Sequence, residues 1–224
     1  MSEPRVRGVV FDVNETLFSL DRLGRAFGDA GLDPALLPVW FSGLLRDAFA
    51  LTALGGFRSF GEVAAETLRG LDDSIDYDAA VMVIAAMREL RPHPDVEAGL
   101  RRLRAAGVPA ATLTNGSAAN VQAMLDGAGL SGYIGRNLSI DAVRRWKPAP
   151  EPYRYAATEL GVDPASLVLV ATHPWDCAGA QAAGLRSAWV WRSRRHWPEV
   201  FRAPDFRGPD LPAVIDAVLA AAGH

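Results

Sequence analysis

The spacing of apolar residues changes near residue 92, and this change predicts two kinds of structure. A short apolar run at residues 6–11 is typical of a buried strand. Four segments with apolar residues at helical spacing follow it, separated by glycine or acidic turns. These segments are 20–30, 34–54, 60–71 and 77–90, and no convincing strand lies among them. We therefore predict one strand followed by a helical block.

From residue 96 onward, helices and strands are predicted to alternate. Strands are predicted at 109–114, 137–140, 167–172 and 187–191, and helices at 96–106, 118–128, 152–160, 176–183 and 211–222. Such alternation indicates a parallel sheet covered on both faces. The first strand has no other partner, so it is expected to join this sheet. We predict an α/β fold with a Rossmann-like parallel-sheet core at 1–17 and 92–224 and an inserted helical cap at 18–91.

Composition and charge narrow the class of protein. The 224 residues are 50% hydrophobic and 22% charged, which is typical of a globular protein. The chain has 23 Lys and Arg against 26 Asp and Glu, so it lacks the excess of basic residues that would indicate a nucleic acid partner. Cys177 is the only cysteine, which excludes a disulfide scaffold and a multi-cysteine zinc site. Without a signal peptide or a long uninterrupted apolar run, we expect a cytoplasmic protein with no membrane partner.

Polar residues follow the predicted strands at their carboxyl ends. They are Asp12, Asn14 and Thr16 after the first strand, Thr114 and Asn115 after the second, Lys147 in a later loop, and His173, Trp175 and Asp176 after the strand at 167–172. In open α/β sheets, ligands bind outside the carboxyl ends of the strands. These side chains are therefore expected to converge on one site.

The order of these residues resembles the motifs of the haloacid dehalogenase superfamily, and specifically of its type II 2-haloacid dehalogenases. The resemblance extends from Val9 to about Arg192 and includes a helical cap inserted after the first motif. It implies a metal-independent hydrolase without a cofactor, acting on a small-molecule carboxylate, a 2-haloalkanoate. An aspartate would displace the halide to form an aspartyl ester, which water would hydrolyse. The resemblance also implies a homodimer.

The resemblance implies catalytic roles for four residues. Asp12 would be the nucleophile, and Thr16 would hydrogen-bond to it. A buried carboxylate is activated when its charge is oriented and partly compensated, and Lys147 is the natural cation for this purpose. Asp176 would hold Lys147 and help to orient the hydrolytic water.

The remaining predicted site residues are assigned to the substrate pocket. Thr114 and Asn115 resemble residues that bind the substrate carboxylate or the leaving group, and Phe60 and Trp175 would form apolar walls. The full predicted set is Asn14, Phe41, Phe60, Thr114, Asn115, Tyr153, His173 and Trp175.

Three positions depart from the patterns of related enzymes. Asn14 stands where the superfamily's phosphatases carry a second acid, and an amide cannot protonate a leaving alkoxide. Phe41 stands where the dehalogenases have a halide-binding arginine, and Arg46, further along the same helix, is a candidate substitute. His173 replaces an asparagine. It is either a second water-activating base or a residue that reshapes the pocket for another substrate.

Two other functions stay open on the sequence. A magnesium-dependent phosphatase would use Asp12 in the same way, and Asn14 argues against it. A non-catalytic binding protein that retains the fold would have no chemical need for Asp12, Lys147 and Asp176 together.

Overall fold

The computed structural model describes residues 5–192 and 195–223, which form two sheets. The strands are β1 (Gly8–Phe11), β2 (Phe18–Ser19), β3 (Arg91–Pro92), β4 (Ala110–Thr114), β5 (Arg136–Ser139), β6 (Leu167–Ala171), β7 (Arg186–Val190) and β8 (Phe206–Gly208). Six of them form a parallel sheet in the order β5-β4-β1-β6-β7-β8. The predicted α/β fold with a parallel-sheet core is confirmed.

The helices follow the predicted order with small shifts at their ends. They are α1 (Leu23–Asp29), α2 (Leu37–Ala53), α3 (Phe60–Arg69), α4 (Tyr77–Ala85), α5 (Val96–Ala105), α6 (Ala118–Gly127), α7 (Pro150–Leu160), α8 (Pro174–Ala182) and α9 (Leu211–Ala222). Two predicted helices are shorter because 3₁₀ turns at Pro34–Leu36 and Ala86–Glu89 take up their ends.

Alternate residues of β1 face opposite sides of the sheet and belong to different apolar clusters. Val9 and Phe11 pack with side chains of α5, α6 and α9, whereas Val10 packs with side chains of α7 and α8. This is the two-residue period of a strand that is buried on both faces. Strand β1 is therefore covered by helices on both sides, and its carboxyl end lies between those of β4 and β6.

The helices α1 to α4 are inserted between β2 and β3. These two short strands pair antiparallel, with Phe18 opposite Pro92 and Ser19 opposite Arg91, at the base of the insertion. Within the described residues 20–90, no strand lies among the four predicted helical segments, because both strands flank this range. The sequence pattern missed the two strands themselves because a two-residue strand has no periodic signal. The division into 1–17, 18–91 and 92–224 stays a prediction. Residues 1–4, 193–194 and 224 of the predicted core lie outside the described residues.

Strand β8 was also missed by the sequence pattern. It has three residues at the edge of the sheet, and Arg207 at its centre is exposed. A short edge strand of this kind lacks both the continuous apolar run of a buried strand and a full period of alternation.

One helical stretch, Pro34–Ala53, is long and apolar enough to span a membrane by length and composition alone. Its most apolar window has a mean hydropathy of 1.2. It contains no long uninterrupted apolar run, because polar side chains such as Arg46 and Asp47 lie within it. Trp40 and Leu44 on this helix are buried among the other inserted helices. The absence of a membrane partner stays a prediction.

Candidate active site

Asp12 occupies the first position after β1, at the centre of the sheet edge. Its backbone N–H donates to the carbonyl of Val170 at 3.0 Å, which fixes it between β1 and β6. Its Oδ1 accepts from Nζ of Lys147 at 2.8 Å, and its Oδ2 accepts from Oγ1 of Thr16 at 2.6 Å. The side chain is 8% exposed. The two carboxylate oxygens therefore have different partners.

Thr16 holds the orientation of this carboxylate. Its hydroxyl oxygen accepts from the backbone N–H of Thr172 at 3.0 Å and donates its proton to Asp12. Because the N–H occupies an acceptor position of the hydroxyl, the proton is directed to the carboxylate. The loops after β1 and β6 are thereby joined through one side chain.

Lys147 is completely buried, and its ammonium group has a protein acceptor for each of its three protons. These acceptors are Oδ1 of Asp12 at 2.8 Å, Oδ2 of Asp176 at 2.7 Å and the carbonyl of Leu113 at 3.0 Å. The backbone N–H of Lys147 donates to Oδ1 of Asn115 at 3.1 Å. Lys147 is the only lysine in the chain, so every other basic side chain except histidine is an arginine.

The pKa values of this pair favour the ionised forms. Burial alone would lower the pKa of Lys147, but the negative charges of Asp12 and Asp176 raise that pKa above its ordinary value. Burial would raise the pKa of Asp12, but the charge of Lys147 and the hydrogen bond from His173 hold that pKa well below its ordinary value. Asp12 is therefore a carboxylate at neutral pH, as a nucleophile must be.

Asp176 lies in the first turn of α8 and, like Asp12, accepts a hydrogen bond from the ammonium group of Lys147. Its second oxygen, Oδ1, accepts from the hydroxyl of Tyr153 at 2.5 Å. Asp176 and Tyr153 are both completely buried. Burial and the charge of Asp12 raise the pKa of Asp176, and burial followed by the charge of Asp176 raises the pKa of Tyr153 well above its ordinary value. Tyr153 thus contacts Asp176, which in turn accepts a hydrogen bond from Lys147.

Gly179, one turn further along α8, was missed by the sequence analysis. A Cβ atom there would lie 2.5 Å from the Tyr153 hydroxyl and 2.7 Å from Cβ of Pro148. Only glycine lets α8 approach the loop of Lys147 this closely. No pattern in the sequence marks this glycine, because the requirement comes from a contact between distant segments.

His173, the residue before α8, connects Asp12 to Glu15. Its Nδ1 lies 3.3 Å from Oδ2 of Asp12, and its Nε2 lies 2.8 Å from Oε2 of Glu15. Burial alone would lower the pKa of His173, but the hydrogen bonds and charges of Asp12 and Glu15 raise it to about 9. His173 is thus a cation at neutral pH in this structure.

Glu15 was not selected from the sequence, although it lies inside the first motif. Its φ of 61° places it in the left-handed region, which is uncommon for a residue other than glycine. Its backbone N–H donates to the carbonyl of Phe18 at 2.7 Å, and its own carbonyl accepts from Nε2 of His93 at 2.9 Å. The backbone is thus held in the conformation that brings the Glu15 carboxylate to His173.

Aromatic side chains from the insertion meet this edge of the sheet. The ring centroid of Phe41 lies 6.3 Å from that of His173, and the ring of Trp175 stacks on His173 at 5.2 Å. Phe49 packs edge-on against Trp175 at 5.1 Å. The helix α2 therefore lies over the start of α8, and Phe49 is a contact that the sequence did not reveal.

Phe60 forms a second contact between the insertion and the core. Its ring stacks on Trp146 at 5.9 Å, and the indole N–H of Trp146 donates to the carbonyl of Arg58 at 3.0 Å. Trp146 immediately precedes Lys147, so this contact packs the insertion against the segment that carries the buried lysine. The part that Trp146 plays in the site was not predicted from the sequence.

The other predicted residues occupy the same edge, with one exception. Oγ1 of Thr114 accepts from the backbone N–H of Gly116 at 2.9 Å, and Asn14 is buried with a backbone bridge to Phe18. Arg46 is not brought to the site: its side chain is 75% exposed and pairs with Asp47.

Two cavities of about 600 and 550 Å³ lie on the insertion, and none of the predicted site residues lines them.

The donor set at this edge does not fit a magnesium ion. Both oxygens of Asp176 are used by Lys147 and Tyr153, and residue 14 offers an amide instead of a carboxylate. Within residues 5–192 and 195–223, no group of three His, Cys, Asp or Glu side chains has the arrangement of a metal site. Independence from a metal stays a prediction.

Three features define a class of hydrolases with a Rossmann-like core. An ionised aspartate ends the central strand of a parallel sheet, a buried lysine lies beside it, and helices are inserted after that strand. The chain belongs to the family of haloacid dehalogenase-like hydrolases, whose sequence model matches residues 6–184. The family predicted from the motif order is confirmed.

Individual relatives extend over nearly the whole chain. Haloacetate dehalogenase H-2 of Moraxella sp. (strain B) is 27% identical over 222 residues, 96% of this chain and 98% of that protein. An (S)-2-haloacid dehalogenase of Xanthobacter autotrophicus is 31% identical over 193 residues, 84% of this chain and 76% of that protein. The structure of L-2-haloacid dehalogenase from X. autotrophicus with chloropropionic acid covalently bound superposes with a TM-score of 0.88 at 26% identity, covering 96% and 98% of the two chains.

Proposed function

We propose that this protein hydrolyses the carbon–halide bond of a small 2-haloalkanoate through an ester on Asp12. The observation that carries the proposal is the carboxylate of Asp12, ionised at the end of the central strand and oriented by Lys147 and Thr16. The similarity to 2-haloacid dehalogenases supports it, because a substrate is covalently bound in one of those structures.

In the first step, a carboxylate oxygen of Asp12 forms a bond to C2 of the substrate while the carbon–halogen bond breaks. The halide leaves with the bonding electron pair, so no proton donor is needed at residue 14. In the second step, water attacks Cγ of the ester, the 2-hydroxy acid leaves, and the Asp12 carboxylate is restored.

The supporting roles follow from the hydrogen bonds. Lys147 keeps Asp12 ionised, and Asp176 holds the lysine with one oxygen while its other oxygen accepts from the hydroxyl of Tyr153. Thr114 and Asn115 are the proposed donors for the substrate carboxylate. Among the described residues, the hydroxyl proton of Thr114 and the Nδ2 group of Asn115 have no protein acceptor.

The remaining predicted pocket residues form the proposed walls. The rings of Phe41 and Trp175 contact the ring of His173, and the ring of Phe60 stacks on that of Trp146. Asn14 lies in the loop after β1, and its neutral amide takes no part in proton transfer.

We also propose that the protein acts in the cytoplasm as a homodimer, with no nucleic acid or membrane partner. The near-balanced charge of −3 supports the absence of a nucleic acid partner. The homodimer rests on the family resemblance.

A substrate panel tests the proposed function. We expect L-2-chloropropionate or chloroacetate to yield chloride and the hydroxy acid in equal amounts, with and without EDTA. The Asp12→Asn variant is the matched control and should release no chloride. Phosphate release from p-nitrophenyl phosphate that requires Mg²⁺, with no chloride from either haloacid, would contradict the proposal.

A further inference from the structure

We propose that His173, oriented by Glu15, is the general base that activates water for hydrolysis of the Asp12 ester. This inference rests on the proposed function, because it concerns the second step of that reaction. It assigns a catalytic role to the pair His173 and Glu15 and leaves Asp176 as a residue that positions Lys147.

Asp176 is poorly placed to activate water. Both of its oxygens accept hydrogen bonds, one from Lys147 and one from Tyr153, and its side chain has no exposed surface. A water molecule that contacted it would have to displace a buried ion pair or a buried hydroxyl, which is unfavourable. The carboxylate is therefore fully used in holding the lysine.

His173 has the opposite surroundings. Its side chain is 15% exposed, and its Nδ1 lies 3.3 Å from Oδ2 of Asp12, on the carboxylate oxygen that does not contact Lys147. A general base must reach the proton that it removes, directly or through one water. A water that approached Cγ of Asp12 from the side of Oδ2 would come within reach of this imidazole.

Glu15 gives the imidazole the tautomer that a base needs. Its Oε2 lies 2.8 Å from Nε2 of His173, so the neutral ring keeps its proton on Nε2 and turns the lone pair of Nδ1 toward Asp12. Glu15 reaches this position only because its backbone adopts a positive φ. Strained backbone conformations are concentrated at functional sites, where the surrounding contacts maintain them.

The charges around His173 change during the reaction in the direction that a base requires. In the resting site the charged groups that face the ring are Asp12 and Glu15, while Phe41 of α2 and Trp175 of α8 contribute neutral rings. Esterification makes Asp12 neutral, so one of the two charges that keep the imidazole protonated disappears. His173 then releases its proton to solvent and becomes a base only when the ester is present.

The proposed step balances as follows. Nδ1 of His173 takes a proton from water, the hydroxide oxygen bonds to Cγ of Asp12, and the carbonyl electron pair moves onto the carbonyl oxygen. When this intermediate collapses, the Cγ–O bond to the substrate breaks, and the leaving alkoxide takes the proton back from His173. Asp12 is then a carboxylic acid, which passes its proton to His173 and restores the resting ion pair. The proton lost to solvent earlier accompanies the halide in the overall reaction.

The test separates the two steps by rapid quench with a 2-haloalkanoate, following halide and hydroxy acid together with the intact mass of the protein. We expect His173→Gln to release halide equal to the enzyme concentration and to retain on Asp12 the mass of the substrate less that of the hydrogen halide. Its steady-state turnover should fall by about 10²–10⁴-fold, the contribution of a general base. His196→Gln, which changes an exposed histidine, is the matched control and should behave as the unaltered enzyme.

Glu15 is tested with two variants because its backbone is strained. Glu15→Gln keeps the side-chain size, and Glu15→Gly suits the positive φ and removes the carboxylate. Both should accumulate the ester and shift the basic group in the pH profile of ester hydrolysis to lower pH. Accumulation in Glu15→Gly shows that the effect does not come from misfolding.

Three outcomes distinguish the alternatives. If the unaltered enzyme releases halide and His173→Gln turns over without accumulating ester, the base is not His173 and the inference is wrong, while the proposed function stands. If His173→Gln fails to form the ester at all, the residue acts in the first step or in shaping the pocket, which also overturns the inference. If the unaltered enzyme releases no halide from any haloacid, the proposed function fails and the inference with it.

Discussion

Nζ of Lys147 lies 2.8 Å from Oδ1 of Asp12 and 2.7 Å from Oδ2 of Asp176, while the other oxygen of Asp12 faces Nδ1 of His173 at 3.3 Å. The pair of Lys147 and Asp12 joins the end of β1 to the segment that precedes α7. Because both groups are buried, each charge depends on the other for its stabilisation. The lysine therefore has two effects, one on the nucleophile and one on the folded state.

The substitution Lys147→Met tests both effects. It leaves Asp176 buried without a cation and Asp12 with His173 alone, and removing one partner of a buried pair costs about 3–5 kcal/mol. We expect the free energy of unfolding, measured with guanidinium chloride, to fall by this amount and halide release to be lost. An unchanged denaturation midpoint would contradict the buried ion pair.

The burial of Lys147 can be measured directly because the chain has no other lysine. Reductive methylation with formaldehyde and cyanoborohydride is selective for amines, so it modifies this ε-amino group and the N-terminus. We expect the native protein to acquire one label fewer than the protein denatured in guanidinium chloride, as read by intact mass and peptide mapping. Equal labelling at Lys147 in both states would show that the ammonium group is accessible.

Gly179→Ala is expected to disturb the support of the lysine. The added Cβ would meet the Tyr153 hydroxyl and Pro148, so helix α8 must shift away from the loop of Lys147. Such overpacking costs about 1–3 kcal/mol, and kcat should fall because the carboxylates move relative to the ammonium group. Gly43→Ala in α2 is the matched control, since its added Cβ would meet no atom within 4 Å beyond its chain neighbours and the backbone of its own helix. It should leave stability unchanged or raise it by about 0.5–1 kcal/mol.

The pKa of His173 makes stability depend on pH. That pKa is about 9 in the folded protein and 6.5 as its ordinary value, so the folded state binds the proton more tightly. The resulting stabilisation, on the order of a few kcal/mol, is fully present below pH 6.5 and is lost as pH rises through 9. Denaturation between pH 6 and 10 should show this loss, and His173→Gln should remove it.

The sequence predicted the parts of the fold and site that depend on local pattern. The core strands could be predicted because β1, β4 and β6 are short, completely buried runs that lie between helices in the sequence. The rule that strand carboxyl ends converge then placed Asp12, Lys147 and Asp176 together. Their roles stay predictions, although their distances agree with them.

The parts that were missed depend on contacts between distant segments or on backbone conformation. Glu15 carries no signal in the sequence because its importance follows from its positive φ and from the imidazole of His173. Gly179 is one of 21 glycines, and its close contacts with Tyr153 and Pro148 appear only in the folded structure. Strand β8 was too short to have a period.

The central claim is that Asp12 becomes esterified, and a single turnover in H₂¹⁸O tests it most directly. With enzyme in excess over a 2-haloalkanoate, water attacks Cγ of the ester, so ¹⁸O should appear in the peptide that contains Asp12. The hydroxy acid should then carry the original, unlabelled oxygen of the carboxylate. Label in the hydroxy acid with none in Asp12 would show that water attacks the substrate carbon directly, and it would contradict the account.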